Sequence, residues 1–79
     1  MIGQEVVAVG STVRVQDGDI IESWQIVDPA EADPEHRRIS DVSHLAKALL
    51  GHRAGDRVRV DGSRRWWAVT IMHVCAGHE

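Results

Sequence analysis

A strand end, an acidic loop and a capped helix follow one another directly in residues 26–51, IVDPAEADPEHRRISDVSHLAKALLG. Pro29 ends the strand, because proline has no N–H to give to a sheet ladder. Ser43 is the predicted N-cap of a helix over residues 45–50, since its hydroxyl can accept a backbone N–H of the first turn. Gly51 suits the left-handed position that follows many helices. A helix of about two turns is not stable alone, so it must pack on other elements.

Strand patterns lie before this stretch. Residues 6–9 and 11–15 are rich in β-branched residues, and we interpret them as one strand kinked at Gly10. The Asp-Gly-Asp turn at residues 17–19 predicts a hairpin into a second strand over residues 20–27. Trp24 and Ile26 share one face of that strand, which we expect to face the core.

The patterns after the helix predict a second hairpin. Residues 57–60 alternate, with Val58 and Val60 expected inward, and Asp-Gly-Ser at residues 61–63 is a strong turn signal before a return strand over residues 65–74. Residues 39 and 40 predict a brief extended return after the acidic loop. The sequence therefore predicts an α+β fold, in which one short α-helix packs across a small antiparallel β-sheet.

The length and composition describe a small soluble domain. We expect the 79 residues to form one domain, with residues 1–5 and 76–79 flexible. One cysteine, Cys75, excludes an internal disulfide. We see no signal peptide and no apolar run of membrane-spanning length. We therefore expect a cytoplasmic monomer that does not contact membranes.

Charge is divided along the chain. Residues 17–41 contain eight acids and residues 44–65 contain six bases, so the domain is bipolar although its net charge is only −3. Such a domain can be steered toward a charged partner. Since the chain is not uniformly basic, we do not expect direct sequence-specific nucleic-acid binding.

Short segments of the chain also match a known family in order and spacing. They are VGSTV at residues 9–13, IVDPAEADP at residues 26–34, RIS at residues 38–40, Ser43 with Leu45, KALLG at residues 47–51, and Gly-Asp before Val58. With these segments, the chain resembles the C-terminal domain of the bacterial Gre transcription elongation factors, GreA and GreB. The acidic loop followed by the serine-capped helix is the most specific part.

The resemblance implies an FKBP-like fold and a protein partner. In the family, this domain docks on RNA polymerase at the rim of the secondary channel, on the coiled coil of the β′ subunit. Carried over to this chain, the docking surface is the acidic loop and the corner at the helix start. Its expected partner-binding residues are Asp28, Glu31, Asp33, Pro34, Ser43 and His44.

Two departures from the family bear on function. The family's other half is an N-terminal coiled coil with an acidic tip that helps the polymerase cleave backtracked RNA, and nothing before Val6 in this sequence corresponds to it. We therefore expect a docking module without catalytic activity. His44 lies where the family often has proline. Proline would fix the start of the helix, whereas histidine provides a titratable side chain.

Other site chemistries are weaker. Paired carboxylates can serve as general acid and base, but only in a concave, partly desolvated site. His73, Cys75 and His78 match no standard zinc spacing, so no metal or other cofactor is predicted. We predict no catalytic residues.

Two alternative functions remain open. Trp66 with Arg57, Arg59, Arg64 and Arg65 is compatible with a small nucleic-acid-binding β domain. We favour an arrangement in which the N-terminal segment covers the outward-facing member of the Trp66–Trp67 pair. A divergent FKBP-like peptidyl-prolyl isomerase is the other alternative, although the chain has none of the Phe and Tyr residues that line the pocket of active members.

Overall fold

Five strands and one α-helix make up the fold in a computed structural model, which describes residues 6–75. The helix α1 is His44–Leu49, and the strands are β1 (Thr12–Asp17), β2 (Ile20–Val27), β3 (Arg38–Ser40), β4 (Arg57–Asp61) and β5 (Trp66–Cys75). The strands form a sheet with the order β3-β2-β1-β5-β4. β3 and β4 are therefore its two edge strands, and the α+β class predicted from the sequence is confirmed.

The sheet is mixed, whereas the sequence predicted an antiparallel one. β1 pairs with β2 and β5, and β5 with β4, all antiparallel, but β3 pairs with β2 in parallel, with Ile39 opposite Ile26. Parallel neighbours need a crossover connection. A loop of residues 28–37 suffices here because β3 has only three residues. The brief extended return was predicted correctly, but a strand this short carries no pattern that reveals its direction.

The core lies between the sheet and α1. Leu49 and Ala46 of the helix are fully buried against inward-facing strand residues, which are Val13, Val15, Ile26, Val58, Val60, Val69, Ile71 and Val74. The predicted inward orientation of Val58 and Val60 is confirmed. The helix buries Ala46 with Leu49, three residues apart, while Leu45 is only partly buried.

A bulge in β5 changes which side of the strand faces the core. Arg14 pairs with His73, but the next residue of β1, Val15, pairs with Ile71, so Met72 is an extra residue. Such an insertion shifts the alternation by one position. Ile71 is consequently buried, Met72 is exposed, and Val74 is buried again.

The N-terminal strand prediction was wrong in its extent. β1 begins at Thr12, and Val6 forms only an isolated bridge with Arg53, while Val7 is buried in the core. Gly10, with φ +100°, lies in a turn that breaks the chain before β1. The flexible ends expected at residues 1–5 and 76–79 lie outside the described residues. Within residues 6–75, no helix is long and apolar enough to cross a membrane.

Candidate functional site

The acidic loop folds into two short 3-10 turns, Pro29–Glu31 and Pro34–His36. Each turn begins with proline, whose fixed φ suits the first position of a helical turn. Asp28 caps the first turn, because its Oδ2 accepts the backbone N–H of Ala30 at 3.2 Å. The loop predicted from the sequence is therefore regular local structure, held by its own prolines and carboxylates.

Asp33 is the most constrained carboxylate of the loop. Its backbone exchanges two hydrogen bonds with Arg38, of 2.9 and 3.0 Å, and its Oδ2 lies 2.7 Å from Nδ1 of His36. The side-chain hydrogen bond with His36 lowers the pKa of Asp33 below its ordinary value. The Asp33 side chain is 39% exposed, so a fixed carboxylate that stays ionised faces solvent.

Arg37 turns back from the loop onto the sheet. It has φ +61°, in the left-handed region, and its N–H donates to Pro34 O at 3.0 Å, which closes the second turn. Its guanidinium lies 4.8 Å from the centre of a Trp24 ring and 3.7 Å from Glu22 Oε1. The guanidinium of Arg37 therefore contacts residues of the sheet, while Glu31 and Glu35 of the loop are exposed.

The corner at the helix start lies beside the loop. The N–H of Asp41 donates to Val27 O at 2.9 Å, which places residues 41–44 next to Asp28 at one end of β3. Ser43 is the N-cap, as predicted, since its Oγ accepts the N–H of Ala46 at 3.2 Å. His44 begins the helix and is exposed.

The structure thus brings the six predicted partner-binding residues to one border of the sheet. Asp28, Ser43 and His44 lie at the carboxyl end of β3, and Asp33 and Pro34 lie at its amino end. Glu31, the sixth, ends the first 3-10 turn, which contacts β3. Three strand residues span about 10 Å. We call residues 28–44, which include β3, the acidic edge. Its part in binding stays a prediction.

Two further residues of the acidic edge were not predicted as site residues. Val42 is 61% exposed at the corner. Asp41 Oδ1 is buried and has no hydrogen-bond partner among residues 6–75. A buried acceptor without a donor is destabilising, so a donor from water or a partner would stabilise it. The only sequence signal for these residues was their position just before a predicted N-cap.

A groove with a volume of about 600 Å³ runs between α1 and β4, at the opposite border of the sheet. Its wall on the helix side is formed by His44, Lys47 and Ala48, and its other lining residues are His52, Arg57, Val58, Arg59 and Asp61. We call β4 with this groove the basic edge. His52 Nδ1 lies 3.1 Å from Asp56 Oδ2, which also accepts the Arg53 N–H. These two hydrogen bonds, the one from Arg53 being the stronger cause, lower the pKa of Asp56.

All three tryptophans of the chain line a second groove of about 610 Å³. Trp24 and Trp67 are half-buried against the core, and Leu45 of the helix joins them. Trp66 is 56% exposed, and Arg59 lies over its ring at 4.7 Å. The expected cover by the N-terminal segment stays a prediction, because residues 1–5 lie outside the described residues. The sequence did not predict this convergence, because it depends on which strands become neighbours.

The described residues contain no arrangement of three or more His, Cys, Asp or Glu side chains that suits a metal ion. His73 and Cys75 are both exposed on β5, and His78 lies outside the described range. The structure therefore adds nothing that favours a metal site at the C-terminal end of the chain.

The family is established by comparison with known proteins. The model of the family described as transcription elongation factor GreA/GreB, C-terminal, matches residues 2–75. The chain belongs to the GreA/GreB family. The resemblance found on the acidic loop and the capped helix is thereby confirmed.

Curated relatives of the family include both elongation factors and an inhibitor. The chain is 46% identical over 70 residues to transcription elongation factor GreA of Chloroflexus aurantiacus, covering 86% of this chain and 45% of that protein. It is 42% identical over 76 residues to transcription inhibitor protein Gfh1 of Thermus thermophilus, covering 87% of this chain and 48% of that protein. The chain thus spans a little under half the length of these relatives.

Solved structures of family members share the fold. The crystal structure of Gfh1 (GreA factor homolog 1) from Thermus thermophilus superposes with a TM-score of 0.77 at 36% identity, covering 91% of this chain and 49% of that one. A GreA/GreB elongation factor from Nitrosomonas europaea gives a TM-score of 0.72 at 28% identity, covering 92% of this chain and 62% of that one. The mixed sheet with one short helix is therefore the architecture of the family's C-terminal domain.

Proposed function

We propose that this domain binds RNA polymerase, at the rim of the secondary channel and on the coiled coil of the β′ subunit, through its acidic edge. The family and the names of its members, which are transcription elongation factors and a transcription inhibitor, support a role in transcription. The residues proposed to make the contact are Asp28, Glu31, Asp33, Pro34, Ser43 and His44.

The observation that carries the proposal is that hydrogen bonds fix the positions of the carboxylates in the acidic edge. Asp28 caps one 3-10 turn and Asp33 is held by both His36 and the backbone of Arg38. A surface whose charged groups are already positioned loses little conformational entropy when it binds. Fixed carboxylates also steer a basic partner and set its register.

The domain would supply affinity and placement to a transcription complex and no chemistry. The carboxylates proposed for the contact are largely exposed to solvent, whereas acid–base catalysis requires a partly desolvated site. Tested by itself on a stalled, backtracked polymerase, the domain is expected to leave RNA cleavage at the intrinsic rate. Faster shortening of the transcript would contradict this role.

Binding is tested by titrating purified polymerase with the labelled domain and with its Asp33→Lys variant. Reversing a charge in a desolvated contact is expected to weaken binding by about 2 kcal/mol or more, which is roughly thirtyfold. Asp19→Lys is the matched control, because Asp19 is an exposed carboxylate in the turn between β1 and β2. Amide spectra of each variant verify that the fold is retained.

The outcome separates the partner from the surface. If the unmodified domain binds tightly and both Asp33→Lys and Asp19→Lys bind with the same affinity, polymerase remains the partner but the acidic edge is not the interface. If the unmodified domain binds neither polymerase nor an isolated fragment of the β′ coiled coil, the proposed function itself is rejected.

The groove of three tryptophans favours one second candidate, the divergent prolyl isomerase. The chain has no Phe or Tyr, but this groove is lined by aromatic side chains from Trp24, Trp66 and Trp67. A shared fold does not by itself carry an activity, and we expect a standard proline-peptide assay to show only the background rate. A concentration-dependent acceleration that disappears in Trp67→Leu would promote this candidate over the docking module.

A further inference from the structure

The outer side of β4 offers free backbone groups. On its inner side, β5 pairs with it, and hydrogen bonds just beyond the two ends of β4 fix the pattern. Ile71 N donates to Asp56 O at 2.8 Å, and Gly62 N donates to Arg65 O at 2.9 Å. Because such bonds alternate along an antiparallel pair, the even-numbered residues of β4 face β5. The odd-numbered residues direct their N–H and C=O groups outward, where no strand within residues 6–75 pairs with them.

The same odd-numbered positions carry the positive charge of the basic edge. Arg57 and Arg59 are exposed and are separated by two strand residues, or about 7 Å. This is the spacing of every second side chain in an extended peptide. Each arginine therefore combines a free backbone edge with a guanidinium that can bind a carboxylate.

The groove beside β4 is basic. Lys47, Arg57 and Arg59 line it with two histidines, whereas its one lining carboxylate, Asp61, already bonds Arg59 Nε at 2.8 Å. Helix α1 forms the far wall, so a segment laid along β4 would be covered on one side. Its volume of about 600 Å³ lies in the usual range of ligand sites.

We propose that the basic edge binds an extended acidic segment of a partner protein, which adds to the sheet as a strand beside β4. Main-chain hydrogen bonds to Arg57 and Arg59 would supply affinity, and carboxylates at alternate positions would supply specificity. The proposal does not depend on docking to polymerase, because β4 and β3 are opposite edges of the sheet. His44, at the start of the helix between them, borders both surfaces, but the strand addition uses the backbone of β4.

The chemistry of the groove favours a peptide over a single-stranded nucleic acid. Sequence-tolerant binding of single strands uses exposed aromatic rings on which bases stack. Among residues 6–75, no Trp, Phe or Tyr side chain lines this groove, and Arg59 already covers a ring of the nearby Trp66 at 4.7 Å. Free N–H and C=O groups in a row match a peptide backbone and have no counterpart in a sugar-phosphate chain.

The test uses the nitrogen-15-labelled 79-residue domain and a capped heptapeptide that alternates Glu and Val. We expect the backbone amides of Arg57 and Arg59 to shift on titration and to exchange with solvent about tenfold more slowly in the complex. The double variant Arg57→Gln/Arg59→Gln is expected to weaken binding by about tenfold or more. Arg14→Gln/Arg38→Gln is the matched control, since both arginines are exposed and lie on other strands.

Backbone pairing is separated from simple charge attraction by two further probes. A peptide of the same sequence, N-methylated at the Glu residues that would lie opposite Arg57 and Arg59, loses the N–H donors that face β4 and is expected not to bind. Equal binding of this peptide would overturn the proposal, as would the absence of any shift with the unmodified peptide at about 1 mM. Binding of a ten-nucleotide uridine RNA in place of the peptide would replace the proposal with a nucleic-acid site.

Discussion

The two edges of the sheet are built in opposite ways. The acidic edge is held by local hydrogen bonds at the surface, such as those within the 3-10 turns and between Asp33 and His36. The basic edge is anchored by the core, since Val58 and Val60 of β4 are buried under α1. A border held locally can change its charged residues without loss of the fold, whereas a border anchored by the core cannot change its inward residues.

The helix between the two edges provides the largest test of this contrast. Leu49→Ala is expected to destabilise the domain by about 2–5 kcal/mol, because it empties a fully buried site. A small domain has about 5–15 kcal/mol in total, so the variant should be largely unfolded or close to it. Thermal melting measures the change, with the partly buried Leu50→Ala as control. A shift of only a degree or two would mean that α1 does not anchor the sheet.

The turn between β4 and β5 is expected to be more sensitive to substitution of its glycine than its sequence alone suggests. A Cβ at Gly62 would lie 2.8 Å from Trp67 Cζ3 and 2.9 Å from Arg65 O. Gly62→Ala should therefore cost about 1–3 kcal/mol through overpacking. Gly18→Asn in the other hairpin is the control, since Gly18 has φ +63° and open space, and asparagine tolerates that conformation. Equal stability of the two variants would refute the close contact with Trp67.

Substitution of the N-cap, where the acidic edge meets the helix, should reduce the free energy of unfolding by a smaller amount. Ser43→Ala removes the side-chain acceptor for the Ala46 N–H and is expected to cost about 1 kcal/mol. Ser43→Asp keeps an acceptor at the cap and should retain most of the stability. Urea unfolding measures both, and an unchanged midpoint in Ser43→Ala would show that the cap contributes nothing.

The smallest expected effect is a loss of folding stability at low pH that arises from one aspartate near each edge. The folded-state pKa of Asp33 is lowered chiefly by His36, and that of Asp56 chiefly by the Arg53 N–H. Their contribution to stability is present above the unfolded pKa of aspartate, about 4, and is lost as the pH falls through the lower folded values. Asp33→Asn and Asp56→Asn should each flatten the loss of stability below about pH 4. Unchanged acid unfolding curves would contradict both interactions.

Local signals predicted the basic edge better than the acidic edge. The alternation of residues 57–60 and the Asp61–Gly62 turn are properties of neighbouring residues, and both predictions are confirmed. The serine cap was predicted for the same reason. The acidic edge depends on where a three-residue strand pairs, and so few residues leave no periodicity to detect.

Features that depend on distant pairing were missed everywhere in the molecule. The extra residue Met72 changes the inward face of β5 only because β1 lies beside it. The meeting of Trp24 with Trp66 and Trp67 likewise requires the order of the strands. The predicted partner-binding residues lie together at one border, but no property of a single chain tests whether a partner binds there.

The most direct test of the account reverses one charge at each edge and measures affinity for RNA polymerase in the same titration. Asp33→Lys is expected to weaken binding by roughly thirtyfold, because it reverses a fixed carboxylate in the proposed contact. Arg57→Glu reverses an exposed charge at the opposite edge and is expected to leave the affinity within about twofold. Equal losses, or a larger loss in Arg57→Glu with both folds intact, would contradict the assignment of polymerase docking to the acidic edge.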